Sequence, residues 1–232
     1  AEPLLVPSEM LQLFLIALLS LNGASSWEAN AASSMGTKSG SAISSISNLP
    51  VPRTPPGFKL GLPSAGVQLE VFVDFLCPDS AAAFPTLLDL VALYGSSLCL
   101  TVHAFPLPYH RSAFLAAKSC FVVSQSGSSG LFSFMAALFQ HIDDFSGERG
   151  ENQTVSDVIT GLAKISASWI SEDEFYRGMD DSTIEWATRF AWKYSCTRGV
   201  YGTPTFVLNG VVVNASPSWT LSHWKKVIDP LV

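Results

Sequence analysis

The chain has 232 residues, enough for one sizeable domain or for a domain carrying a large insertion. Hydrophobic residues make up 48% and charged residues only 14%, so the folded part should bury a substantial core, while a net charge of −6 with no Lys/Arg run speaks against nucleic acid or an anionic membrane as partner. The four cysteines, Cys77, Cys99, Cys120 and Cys196, are too few for a disulfide scaffold and too far apart for a zinc motif, so no metal site is expected.

Residues 1–31 read as a leader. Met10 to Leu21 is an apolar run of signal-peptide length, too short to span a bilayer comfortably, and Ala29-Asn30-Ala31 offers a small-x-small cleavage site. A basic n-region is missing unless Met10 is the true start. Serines between positions 33 and 47 suggest the rival, an organellar transit peptide, but arginine is absent there. The reading favours the secretory pathway, ER lumen or extracellular, with organellar import as the alternative and no stable membrane span once the leader is removed. Glycosylation sequons at Asn152 and Asn214 are compatible with that, although Pro217 closely follows the second. Residues 32–57 are Ser-, Gly- and Pro-rich and read as a flexible linker.

Phe58 to Leu62 alternates briefly, as a short edge strand would. Val67 to Phe75 is the first strong strand, a helix is expected over Ala81 to Tyr94, and Leu98 to Phe105 is a second strand. Together they make a βαβ unit with its strands parallel. From Tyr109 to Ser195 the signal is helical throughout. Helices are expected over Ser112–Ser124 and Ser129–Gln140, then a polar loop over Asp143–Gln153, and a third helix from Thr154 or Ser156. Ser171 with Glu174, and Ser182 with Glu185, have capping-box spacing. Thr205–Leu208 and Val211–Asn214 flank Asn209-Gly210, the strongest short hairpin signal, and a last amphipathic helix runs from Ser218 to Ile228. The order is thus a βαβ unit over 58–108, a helical block over 109–195, and a β-hairpin with a helix over 196–232.

Cys77 stands where the first strong strand meets its helix. Unpaired amide donors and the helix dipole at such a junction favour a thiolate. Pro78 suits the first helical turn because it needs no N–H there. On the residues alone, a buried cysteine that ends a strand fits equally well. Ser80, one helical turn on, could donate a hydrogen bond to the thiolate or be a neutral helix-start residue, while the charge of Asp79 disfavours a neighbouring thiolate. Cys196 is the one candidate for a remote resolving thiol, against a plain helix cysteine. Cys99 and Cys120 read as core residues. His103 and His110 flank a Pro106-Leu107-Pro108 turn and admit a base or a structural role. Phe132, Phe134, Phe139 and Phe145 read as core rather than a ligand box. His141 with Asp143 and Asp144 reads as a polar helix end rather than a metal pair.

Asp74-Phe75-Leu76-Cys77-Pro78, then a helical stretch, then Gly199-Val200-Tyr201-Gly202-Thr203-Pro204-Thr205-Phe206-Val207-Leu208-Asn209-Gly210, resemble the DsbA-like branch of the thioredoxin superfamily. The resemblance covers about residues 58–232. Cys77-Pro78-Asp79-Ser80, Leu107-Pro108-Tyr109-His110 and Trp224 to Pro230 look most like a plant and green-lineage group of secretory proteins with this fold. It implies a thioredoxin-like fold with an inserted all-helical domain, and a cis Pro204 facing the active cysteine. Pro78, Thr203 and Pro204 would contact a bound peptide, with Thr203 offering backbone groups in the manner of an added strand. The departure is Ser80, which stands where a dithiol enzyme has cysteine, so no internal Cys-x-x-Cys disulfide can form. The implied activity is thiol–disulfide exchange with Cys77 and Ser80 as the centre. Its partners would be thiol- or disulfide-containing proteins, with no resident cofactor and glutathione as an optional co-substrate. A non-catalytic peptide-binding module and a glutathione-dependent transferase or isomerase of kappa-class type are the alternatives.

Overall fold

The computed structural model describes residues 51–126 and 130–232. The expected leader, the linker before residue 51, and Ser129 at the head of one expected helix lie outside the described residues. Five strands form a mixed sheet in the order β1-β3-β2-β4-β5, with β1 Phe58–Gly61, β2 Val67–Val73, β3 Leu98–Ala104, β4 Thr205–Leu208 and β5 Val211–Val213. Strands β2 and β3 are parallel, joined through α1 (Pro78–Tyr94). The hairpin strand β4 runs antiparallel to β2, with Val71 opposite Phe206 and Phe72 opposite Thr205. That register decides where the site lies. The chain leaves β2 at the same end of the sheet at which it enters β4, so residues 74–77 and 203–204 meet there.

Between β3 and β4 run α2 (Ala113–Gln125), α3 (Leu131–Gln140), α4 (Gly147–Glu151), α5 (Val155–Ser166), α6 (Glu172–Asp180) and α7 (Ser182–Thr197). The C-terminal helix is α8 (Leu221–Ile228). Several starts are those the sequence signals require. Thr154 caps α5 and Ser171 caps α6, each in a reciprocal capping box with Asp157 and Glu174 respectively. Others differ. Helix α7 is capped by Asp181, whose carboxylate accepts from the Thr183 amide at 2.6 Å, and not by Ser182. An aspartate one residue upstream reaches the free amides better than a short hydroxyl already inside the first turn. The expected loop 143–153 winds into a 3-10 turn and α4. At the hairpin, Asn209 and Gly210 have φ of 47° and 83°, the left-handed pair that a two-residue turn between twisted strands demands.

Alternation in β2 splits the buried residues between the two faces of the sheet. Leu69, Val71 and Val73 join the main core with Phe84 and Leu87 of α1 and Trp224 of α8. Phe72 faces the other way, with Phe105, Leu107, Val200 and Val207, and Tyr194 of α7 packs over them. The main core runs without a break into the helical segment. Phe139 of α3 lies between Phe75 and Phe84, with ring centroids at 5.5 and 5.0 Å. All four phenylalanines of the series, Phe132, Phe134, Phe139 and Phe145, are core, and Cys99 and Cys120 are buried.

Candidate active site

Strand β2 ends at Val73, two residues earlier than the apolar run suggests, because Asp74 turns its carboxylate into the protein. Asp74 is 1% exposed. Its Oδ1 accepts the Leu76 amide at 2.7 Å, and its Oδ2 accepts the Leu107 amide and His110 Nδ1, both at 2.8 Å. Its backbone carbonyl accepts the Cys77 amide at 3.0 Å. One carboxylate thereby sets the path of the loop before Cys77 and fastens it to the β3–α2 loop. A buried carboxylate survives because every bond it makes replaces one it had to water.

Cys77 is the N-cap of α1 and Pro78 its first residue. The helix begins three residues earlier than the sequence pattern alone suggests, at the position where proline's missing N–H costs nothing. The Cys77 thiol, 6% exposed, donates to the carbonyl oxygen of Thr203 at 3.4 Å. The Thr203–Pro204 peptide is cis. Cys77, Pro78, Thr203 and Pro204 are therefore gathered at one end of the sheet.

Ser80 lies under the first turn of α1, 0% exposed, and its hydroxyl has no hydrogen-bond partner. Of the two readings of Ser80, the hydrogen bond to Cys77 is not formed, and the thiol is engaged with Thr203 instead. The Thr203 hydroxyl is likewise buried without a partner. Cys196 is exposed in the last turn of α7, and all four cysteines are free. Burial pushes the Cys99 and Cys120 thiols up, Cys120 strongly, and partial burial raises Cys196. His141 pairs with Asp144 at 2.8 Å, and among the described residues no group of three or more His, Cys, Asp or Glu side chains could hold a metal ion.

On the opposite face of the sheet lies an ionic cluster that the sequence reading missed. His103, 1% exposed, hydrogen-bonds through Nε2 to Glu70 Oε2 at 2.9 Å and stacks on Phe72. Arg198 reaches Glu70 with two guanidinium nitrogens, at 3.1 and 3.3 Å, and donates to the Tyr194 hydroxyl at 2.6 Å. The His103 hydrogen bond, assisted by Arg198, holds Glu70 down to about 2, whereas burial pushes His103 below its usual value. Arg198 follows α7, and Gly199, with φ of 73°, then turns the chain toward the cis peptide. The cluster anchors the segment that delivers Thr203. A glutamate at an inward-facing position of a buried strand was the available signal.

A family model described as thioredoxin matches residues 53–230. The chain belongs to the thioredoxin family. Among solved structures, this thioredoxin-family chain is similar to a candidate protein-disulfide isomerase from Pseudomonas syringae, with a TM-score of 0.65 and 23% identity over 73% of this chain and 96% of that one. It is similar to a cysteine-to-alanine variant of alpha-DsbA1 from Wolbachia pipientis, with a TM-score of 0.62 and 21% identity over 79% and 92% of the two chains. Oxidised BdbD from Bacillus subtilis follows, with a TM-score of 0.57 and 17% identity over 75% and 91%. No curated protein matches the sequence. The fold is thioredoxin-like with an inserted helical region. No described helix is long and apolar enough to cross a membrane.

Proposed function

We propose that the protein is a monothiol thiol–disulfide exchanger whose nucleophile is Cys77. The observation that carries this reading is the single cysteine at the head of α1, 3.4 Å from the carbonyl that precedes a cis proline, with Ser80 where a second thiol would stand. The likeness to the candidate protein-disulfide isomerase from Pseudomonas syringae supports it. In the first step the Cys77 thiolate attacks one sulfur of a substrate disulfide. A Cys77–substrate mixed disulfide forms and the other substrate sulfur leaves as a thiolate. In the second, an outside thiolate attacks the substrate sulfur of the mixed disulfide, forming a new substrate disulfide and returning Cys77 as thiolate. A glutathione-class thiol or a second substrate cysteine serves that step. Thr203 and Pro204 hold the substrate backbone, and Pro78 borders it. Such exchange belongs in an oxidising compartment, consistent with the secretory reading of residues 1–31.

The near-complete burial of Cys77 favours a second reading, a peptide-binding module without turnover. The test is exchange with a small disulfide, followed for wild type and Cys77→Ser. Turnover that falls at least a hundredfold in Cys77→Ser supports the exchanger. No turnover in wild type, together with retained peptide binding, assigns the module.

A further inference from the structure

At the same end of the sheet as Cys77, the β3–α2 loop and α7 enclose a cleft of about 430 Å³. It is tied to the cysteine loop directly. Leu107 and His110, which line it, hold the Asp74 carboxylate whose own backbone accepts the Cys77 amide. Its charged lining is basic. Arg111, Arg189 and Lys193 line it with no acidic residue among the lining, on a chain of net charge −6. Arg189 is paired with Glu185 and Arg111 donates to the Glu151 carbonyl. Lys193 has no partner among the described residues and stands exposed. Two tryptophans that remain in water share the lining, Trp186 at 54% and Trp192 at 40% exposure. Trp192 is held nearly parallel to Phe105, and Arg189 lies over the Trp186 ring.

Large aromatic surface left wet inside a concave, cationic site marks a place where a ligand carrying both apolar and anionic groups is bound. We infer that this cleft is a substrate subsite for an extended polypeptide segment that carries a carboxylate beside an aromatic side chain, close to the cysteine exchanged at Cys77. The carboxylate pairs with Lys193 and Arg111, and the aromatic ring stacks against Trp186 and Trp192. A bare anion would use the cations and leave the tryptophan faces idle, whereas a peptide uses both and can run on toward Thr203. The inference rests on the exchanger reading for its purpose but not for its test.

The test is equilibrium binding, which needs no redox step. Fluorescein-labelled peptides carry Glu-Phe or Lys-Phe near a serine that replaces the exchanged cysteine, and anisotropy is followed with wild type, Lys193→Glu/Arg111→Glu and Trp186→Ala. The Glu-Phe peptide should bind wild type about tenfold tighter than the Lys-Phe peptide, and the double charge reversal should invert that preference. Trp186→Ala should weaken both peptides. Equal binding of the two peptides, or a preference that survives charge reversal, overturns the inference. So does displacement of the Glu-Phe peptide by submillimolar glutathione disulfide, which would assign the cleft to a small anionic thiol. So does self-association of the protein that charge reversal abolishes, which would assign it to a second copy of the chain. Loss of exchange activity in all proteins would strike the exchanger reading alone and leave these binding results standing.

Discussion

The thiol of Cys77 lies 3.4 Å from the carbonyl oxygen of Thr203, across 126 residues of sequence. On the proposed exchange, that carbonyl is the acceptor an incoming peptide strand would use, so a bound peptide would displace the resting thiol as it brings a disulfide to it. The first prediction is that limited alkylation at neutral pH modifies Cys77 before Cys99 and Cys120. Those two are buried in the core with their thiols pushed up by burial. Peptide mapping of the alkylated protein reads the order, and earlier modification of Cys99 or Cys120 contradicts it.

Asp74 should matter as much for folding as for the site. Asp74→Ala leaves the Leu76 and Leu107 amides without their acceptor inside the protein. Each costs about 1–3 kcal/mol when left unpaired. Asp74→Asn keeps one acceptor oxygen and should lose less. Urea denaturation orders the three proteins as wild type, Asp74→Asn, Asp74→Ala, and an unchanged midpoint for Asp74→Ala would refute the role.

The Glu70 cluster gives the fold a defined acid response. Glu70 is held at about 2 in the folded chain against 4.5 when unfolded, so the unfolded chain binds the proton first. Its contribution is complete above about pH 4.5 and is lost as pH falls from there toward 2. His103 is also depressed, by burial, from 6.5, so its loss begins below about pH 6.5 and runs in the same direction. Glu70→Gln should be less stable than wild type near neutrality, and the gap between them should close below about pH 4.5. A gap that is constant from pH 7 to 3 contradicts this.

Much of this was legible in the sequence because it rests on local rules. The hairpin at Asn209-Gly210, the caps at Thr154 and Ser171, and the proline at the head of α1 are each fixed by a backbone demand that one or two residue types satisfy. What the sequence did not disclose is what depends on distant partners. Asp74 reads as a strand residue until the β3–α2 loop brings Leu107 and His110 to it. Glu70 and Arg198 carry no local signal of pairing, and only strand register and the end of α7 bring them together beside His103. Ser80 shows the converse. Spacing places it one turn from Cys77, yet the thiol prefers Thr203 and the hydroxyl stays unpartnered.

Ser80→Cys should create an oxidase activity that a monothiol centre would lack. Residues three apart on a helix have Cβ atoms about 5–6 Å apart, so a modest adjustment at the N-cap brings two sulfurs together. The substitution should cost little stability, since the Ser80 hydroxyl makes no hydrogen bond. With a thiol at position 80, resolution becomes intramolecular and outcompetes outside thiols. Oxidative refolding of a reduced, disulfide-containing substrate should proceed with Ser80→Cys and not with wild type. Oxidase turnover by wild type that Cys196→Ala abolishes would instead make Cys196 the resolving thiol.

The most direct measurement is intact-mass analysis of wild-type protein mixed with a peptide disulfide in the absence of any other thiol. With the disulfide in excess over the displaced peptide thiolate, a covalent adduct should build up at one peptide per chain, map to Cys77, persist, and be released when a further thiol is added. A chain that sheds the peptide unaided and emerges two hydrogens lighter, with an internal disulfide, would contradict the monothiol account.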